Sequence, residues 1–353
     1  MLMLGFVSLA FGIGSGLERL GWNFPLSSAH LLALHGPLMV CGFLGTVISL
    51  ERAVAIGRPW AYAAPGIAAL GGLAFITGQH WLIGAVLVTM ASIILGVATA
   101  HILLRQRALH TATLLLGSLA WLCGNLLWLA GFGIEQIAPW WMGFLILTIA
   151  GERLELSRFR PPSPNGRRIF IAIILLFLVG ATAATLSATW NVQILSAALL
   201  ALALWLLLQD VARRTIKQEG LTRFIAACLL SGYAWLLTGA LIGLFSPHLI
   251  PGSSYDAFLH AIQIGFVFSM ILGHAPIIFP AVARIKIAYH PMFYIPLAVL
   301  HASLIARIAG DLLEIPHIRS MGGALNAIAL LLFILNTILA AIRGRNQAPG
   351  RTD

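Results

Sequence analysis

The sequence predicts an all-α polytopic membrane protein of about 12 transmembrane helices in three pseudo-repeated four-helix units, and three observations predict it. The first is composition. Of 353 residues, 60% are hydrophobic and only 9% charged, too few charges to keep a water-soluble domain of this size solvated. The second is a series of apolar stretches of spanning length, and the third is where the positive charges fall between them. A closed β-barrel would show short alternating segments instead. The formal net charge of +10 is carried by short loop runs, which reads as membrane topology and not as a nucleic-acid footprint. No basic run precedes the first apolar stretch, so a cleavable leader is not expected. Cys41, Cys123 and Cys228 lie inside apolar stretches without CxxC spacing, so neither a disulfide framework nor a zinc site is indicated.

Taken in order at roughly 20 residues per span, the apolar segments are 2–17, 29–50, 61–78, 81–103, 111–131, 136–151, 169–187, 192–209, 222–245, 256–282, 291–311 and 321–342. The first and sixth are short. Glycines recur inside them, as expected where helices approach closely in lipid. Pro37, Pro65, Pro276, Pro280 and Pro296 fall within or at the ends of spans, where neighbouring helices can satisfy freed backbone groups. The expected organisation is a single integral membrane domain, 1–345, with units 1–107, 108–219 and 220–345, and a disordered cytoplasmic tail, 346–353.

The charges support this count. Eighteen of the 21 Lys and Arg residues follow even-numbered spans; Arg19, Arg307 and Arg319 do not. This bias places both termini and every even-to-odd loop, including 153–168 and 210–223, in the cytoplasm. The expected location is therefore the cell's inner membrane, with several passes.

A motif recurs on spans 2, 6 and 10. Gly42-Phe43-Leu44 precedes Glu51, Gly143-Phe144-Leu145 precedes Glu152, and Gly265-Phe266-Val267 precedes His274, each time by nine residues from the glycine. Arg52 and Arg153 follow the two glutamates. Spans four apart run in the same direction, so the motif suggests three tandem units. The alternative for each Glu–Arg pair is an ordinary interfacial charge pair.

His80, His101, His110, His248, His290 and His317 fall in loops or at span ends, where solvated histidines are the norm. His35, His260, His274 and His301 lie within spans, where an ionisable group is costly and usually functional. His30 is five residues before His35 and about 140° away around the helix. His35 and His260 both lie a few residues into spans entering from the outer face, roughly 6–10 Å below its level. Two neutral imidazoles at similar depth on separate helices suit axial ligation of a haem iron. His274 is about 21 Å deeper than His260, hence a candidate for a second site or a polar network. An intramembrane Arg307 needs an anion: a haem propionate would serve bidentately, and so would Asp311, one turn on. The site expected is His35 and His260 as ligands with Arg307 beside them, and His30, His301 and His274 in reserve.

With these residues in place, a resemblance is visible. Twelve spans, cytoplasmic termini and three four-helix arcs resemble the catalytic subunit of the haem–copper oxidase superfamily, in which histidines on the second and tenth helices bind the low-spin haem. His35 in H-G-P-L-M resembles the second-helix motif there. The sequence resembles more closely the NnrS family of haem- and copper-containing membrane proteins associated with nitric oxide stress, through L-H-A-I-Q-I-G at 259–265 and L-I-A-R-I-A-G-D-L at 304–312. The resemblance implies haem b, copper as a further metal, and a role in the response to nitric oxide or another diatomic gas, or in electron transfer. The oxidases carry an H-x-H pair on helix ten; here Phe258, Ala261 and Ile262 flank His260, and spans 6 and 7 hold no histidine. A dinuclear oxygen-reducing centre is therefore not expected. G-H-A-P-I-I-F-P at 273–280 is on the wrong span for an oxidase copper run. Partners expected are haem, membrane lipids and a redox protein of unspecified kind, with no nucleic acid. Two other classes compete: a transporter or channel with a polar intramembrane path, and a cofactor-free scaffold glued by polar side chains.

Overall fold

A computed structural model describes residues 1–23, 25, 29–78, 80–157, 162–186, 191–246, 251–283 and 287–346. His248, Arg158, Arg160, Arg284, Lys286 and residues 347–353 of the expected tail lie outside them. Among the described residues every regular element is helical. The long ones are α1 Leu2–Glu18, α2 His35–Ile56, α3 Pro59–Thr77, α4 Trp81–Arg105, α5 Leu109–Leu129, α6 Ile134–Leu156, α7 Pro164–Leu186, α8 Asn191–Gln209, α9 Gly220–Phe245, α10 Ser253–Val282, α11 Pro291–Leu312 and α12 Pro316–Asn346. Eleven of them are long and apolar enough to cross a membrane, and α1 is a shorter apolar helix. Each apolar segment of the sequence overlaps one of these helices, and the chain is a multi-pass membrane protein.

Helix α4 shows why the bundle suits lipid. Between residues 83 and 100 its exposed residues are Ile83, Val86, Met90, Ile93 and Val97, apolar at helical spacing. Its buried face carries Gly84, Ala85, Thr89, Ala91, Ser92, Ala98 and Thr99. Small residues let neighbouring backbones approach, and hydroxyls bond inward: Thr99 Oγ1 and Ser118 Oγ of α5 are 2.8 Å apart. This is the reverse of a water-soluble helix and the arrangement that association in lipid favours.

The chain divides into two compact units, Met1–Leu195 and Ser196–Asp353. In the first, Trp121 of α5 stacks on Phe144 of α6 with ring centroids 4.8 Å apart and an 8° interplanar angle. Asn125 ties the surrounding helices together. Its Oδ1 accepts from Trp141 Nε1 at 2.9 Å and from the Cys41 thiol at 3.6 Å, and its Nδ2 donates to Val88 O and Ser92 Oγ, both at 3.2 Å. In the second unit, Trp235, Ala257, Ala261, Leu304 and Ile308 form a buried core shared by α9, α10 and α11.

Two spans are not regular α-helices. The segment 29–50, expected as one helix, is broken: a short turn of helix, Ala29–Leu32, precedes α2. Helix α2 starts at His35 with Pro37 in its first turn, where a missing N–H costs little. It continues as a π-helix over Leu38–Leu44 and becomes α-helical from Gly45. Helix α10 repeats this plan, with α-helix over Ser253–His260 and π-helix over Ala261–Phe268.

Candidate functional site

The histidines fall into two chemical classes, which the hydrogen bonds separate. His35 Nδ1 lies 2.7 Å from Gly12 O of α1. His260 Nδ1 lies 2.7 Å from Asp256 O, and His274 Nδ1 lies 2.7 Å from Met270 O, each one turn back on its own helix. A carbonyl oxygen only accepts, so Nδ1 carries the proton in all three, and in the neutral ring Nε2 holds the lone pair. This is the tautomer that second-shell carbonyls impose on metal-ligating histidines. His260 also stands immediately before a π-helical run, and His35 three residues before the other; such runs are often found at functional sites.

His301 is the opposite case. Trp235 Nε1 donates to its Nδ1 at 2.9 Å. An indole N–H cannot accept, so in the neutral ring the proton of His301 is on Nε2 and the Nδ1 lone pair is engaged. This arrangement offers no lone pair to a metal. His30 is exposed, with its ring against Gly78, where an added Cβ would meet Cε1 and Nε2 at 2.7 Å.

The immediate surroundings of the two π-associated histidines differ. The His35 ring rests on α1 at Gly16, where a Cβ would come within 2.8 Å of Cε1; glycine there makes room for the imidazole. Gly36 is less crowded, its nearest neighbours Ile134 and Trp141 both 4.0 Å from an added Cβ. Beside His260, Ala261 is wholly buried against Trp235 and Leu304. Its small side chain serves helix packing and does not open a slot beside His260.

Arg307 finds its anions within its own unit. Its Nη2 is 3.4 Å from Asp256 Oδ2, and its Nε is 4.0 Å from Asp311 Oδ2. Arg319 of α12 joins them, with Nη2 2.5 Å from Asp256 Oδ2 and Nε 2.7 Å from Asp311 Oδ1. Two guanidiniums and two carboxylates balance, so the buried arginine is compensated without an outside anion. Asp256 is the shared member. It sits in the first turn of α10, its carbonyl orients His260, and its carboxylate Oδ1 is 4.0 Å from His260 Nδ1. Spacing does not reveal this cluster, because three helices contribute to it. The available signal was composition: Asp256 and Arg319 are charges near the ends of spans in a chain with few.

In the first unit, the recurring motif brings two of its members together. Arg52 Nη2 donates to Glu152 Oε1 at 2.6 Å and to Glu51 Oε1 at 3.2 Å. Arg52 and Arg153 are buried, and Glu51 and Glu152 are partly exposed. Among the described residues no group of three or more His, Cys, Asp or Glu side chains is placed to hold a metal ion.

No curated protein matches this chain. The chain belongs to the family described as a domain of unknown function, DUF8744, which matches residues 1–342.

Proposed function

We propose that this protein is a haem-binding membrane protein of the NnrS type, with His35 and His260 as the candidate axial ligands. The observation that supports it is the one shared by these two residues: Nδ1 bonded to a backbone carbonyl, which puts the basic lone pair on Nε2, and a π-helical run starting one to three residues after the histidine. Arg307 is the candidate propionate neighbour; a propionate there would compete with Asp256 and Asp311. The bound group is haem b, with copper as a second metal, and it supplies one-electron chemistry or diatomic-gas binding, nitric oxide above all. The chain's own contribution is to fix the imidazole tautomers and to surround the group with apolar helices. The architecture proposed with it is twelve spans in three four-helix units, the inner membrane as location and both termini in the cytoplasm; the loop charges support that orientation.

The visible absorption spectrum of the protein purified after haem-replete expression tests this reading. A Soret band is expected, changed or lost in His35→Ala and in His260→Ala and unchanged in His301→Ala and His317→Ala. No band in the wild-type protein sinks the proposal. Bands retained in both single variants sink the ligand assignment alone. The Glu51–Arg52–Glu152 group, with its arginine buried and its glutamates partly so, favours a second reading, a transporter with a polar intramembrane path, which stands if the spectrum is blank.

A further inference from the structure

Helices α11 and α12 pack antiparallel with unusual closeness at two points. Gly310 faces the backbone of Arg319, and Gly322 faces the backbone of Arg307, where an added Cβ would fall 2.5 Å from the amide nitrogen. Ser303, Arg307 and Asp311 repeat every four residues, which puts them on one face of α11. Opposite them α12 presents Arg319 and Asn326, and Ser303 Oγ donates to Asn326 Oδ1 at 2.6 Å. A polar seam therefore runs from the turn joining these helices about 10 Å into the bundle.

The seam holds more hydrogen-bonding capacity than its own residues use. Arg307 Nε, Arg319 Nε, Asn326 Nδ2 and both oxygens of Asp311 are buried and find no hydrogen-bond partner among the described residues. The Asp311 side chain is 0% exposed. Arg319 Nε and Asp311 Oδ1 approach to 2.7 Å; the charges attract, but the N–H is not aimed at the oxygen, so donor and acceptor both keep capacity. The partner that suits three donors and two acceptors is small, neutral and able to do both. The two guanidiniums and two carboxylates already cancel, so the seam carries no net charge that would draw in a free anion or a metal cation. Water meets the requirement, since buried waters settle where several unsatisfied polar groups converge. Arg319, whose side chain is 30% exposed, provides the mouth.

We propose that the α11–α12 seam is an internal water-binding site, open to solvent at Arg319 and extending to Asn326. It does not require a haem at His260; a propionate bound at Arg307 would take the place of water at that end of the seam. Hydroxyl-radical footprinting of the full-length protein, with radicals generated from water by X-rays and read by mass spectrometry, tests it. Water held in the seam would label Arg307 and Ile308 severalfold faster than Phe266, an intrinsically reactive ring that is 0% exposed. Asn326→Leu would slow labelling at Arg307. Equal, slow labelling of Arg307, Ile308 and Phe266 in the wild type would show a dry ion-pair cluster and overturn the proposal, whether or not the variant folds. Fast labelling that Asn326→Leu leaves unchanged would overturn the extension to Asn326.

Discussion

Replacing glycine by alanine should have opposite effects at Gly45 and Gly96, both in helix interiors of the first unit. At Gly45 the new methyl would lie 2.6 Å from Trp121 Cζ2 and 2.8 Å from Cη2, roughly 1 Å inside the ordinary carbon–carbon contact distance. Trp121 has little room to yield. It is 0% exposed, stacks on Phe144 at 4.8 Å, and donates its indole N–H to Cys41 Sγ at 3.3 Å. At Gly96 an added Cβ meets nothing within 4 Å. Alanine gains about 1 kcal/mol over glycine in a helix at either position. That gain is common to both variants, so their difference isolates the clash, which overpacking data put at about 1–3 kcal/mol. Unfolding of the purified protein in a graded series of SDS fractions, followed by circular dichroism, measures it. Gly96→Ala should be at least as stable as the wild type and Gly45→Ala the less stable of the two. Repeating both in a Trp121→Phe background, which removes the clashing atoms, should shrink the difference. If Gly45→Ala is no worse than Gly96→Ala, or the difference survives in Trp121→Phe, the packing argument fails.

Other outcomes follow from the charges and the backbone. Arg52→Met takes the buried cation away from the partly buried Glu51 and Glu152 and should cost about 1–3 kcal/mol in the same assay, less than breaking a fully buried pair; adding Glu152→Leu should recover part of it, and a double variant worse than the single would refute the pairing. Glu314, exposed in the turn between α11 and α12, holds φ at 56°, a conformation glycine adopts without penalty. Glu314→Gly should therefore raise stability by about 1 kcal/mol, and a loss would mean that its side chain holds the turn.

Hydropathy made the helices legible because lipid-facing and helix-facing positions are both apolar or small, and the few charges at span ends frame them. It also singled out Arg307 and its neighbour Asp311. It did not reveal that Asp256 and Arg319 complete the cluster, since contacts among three helices leave no trace in local spacing. Nor could it tell His301 from His35 and His260: all are intramembrane imidazoles, and only the partner of Nδ1, an indole in one case and a carbonyl in the others, decides which nitrogen is basic. The π-helical runs were invisible for a similar reason. Changing a backbone bond from the fourth to the fifth residue alters no side chain. As a result, the nine residues from Gly42 to Glu51 begin in a π-helix, whereas those from Gly143 to Glu152 lie wholly in an α-helix. Equal spacing in the sequence is not equal rotation about the helix.

That run gives α2 two separately timed ends. Each hydrogen-bonded ring of a π-helix contains one more residue than an α-helical ring, so the chain beyond Leu44 is turned relative to a continuous α-helix drawn from His35. The histidine end meets α1 at Gly12, and the arginine end meets α6 at Glu152. A single-residue deletion within 38–44 would restore plain α-helix, and one of those two engagements would then be lost. For the same reason, aligning this helix with a purely α-helical counterpart needs a one-residue gap inside the run, and an ungapped alignment matches only one end correctly.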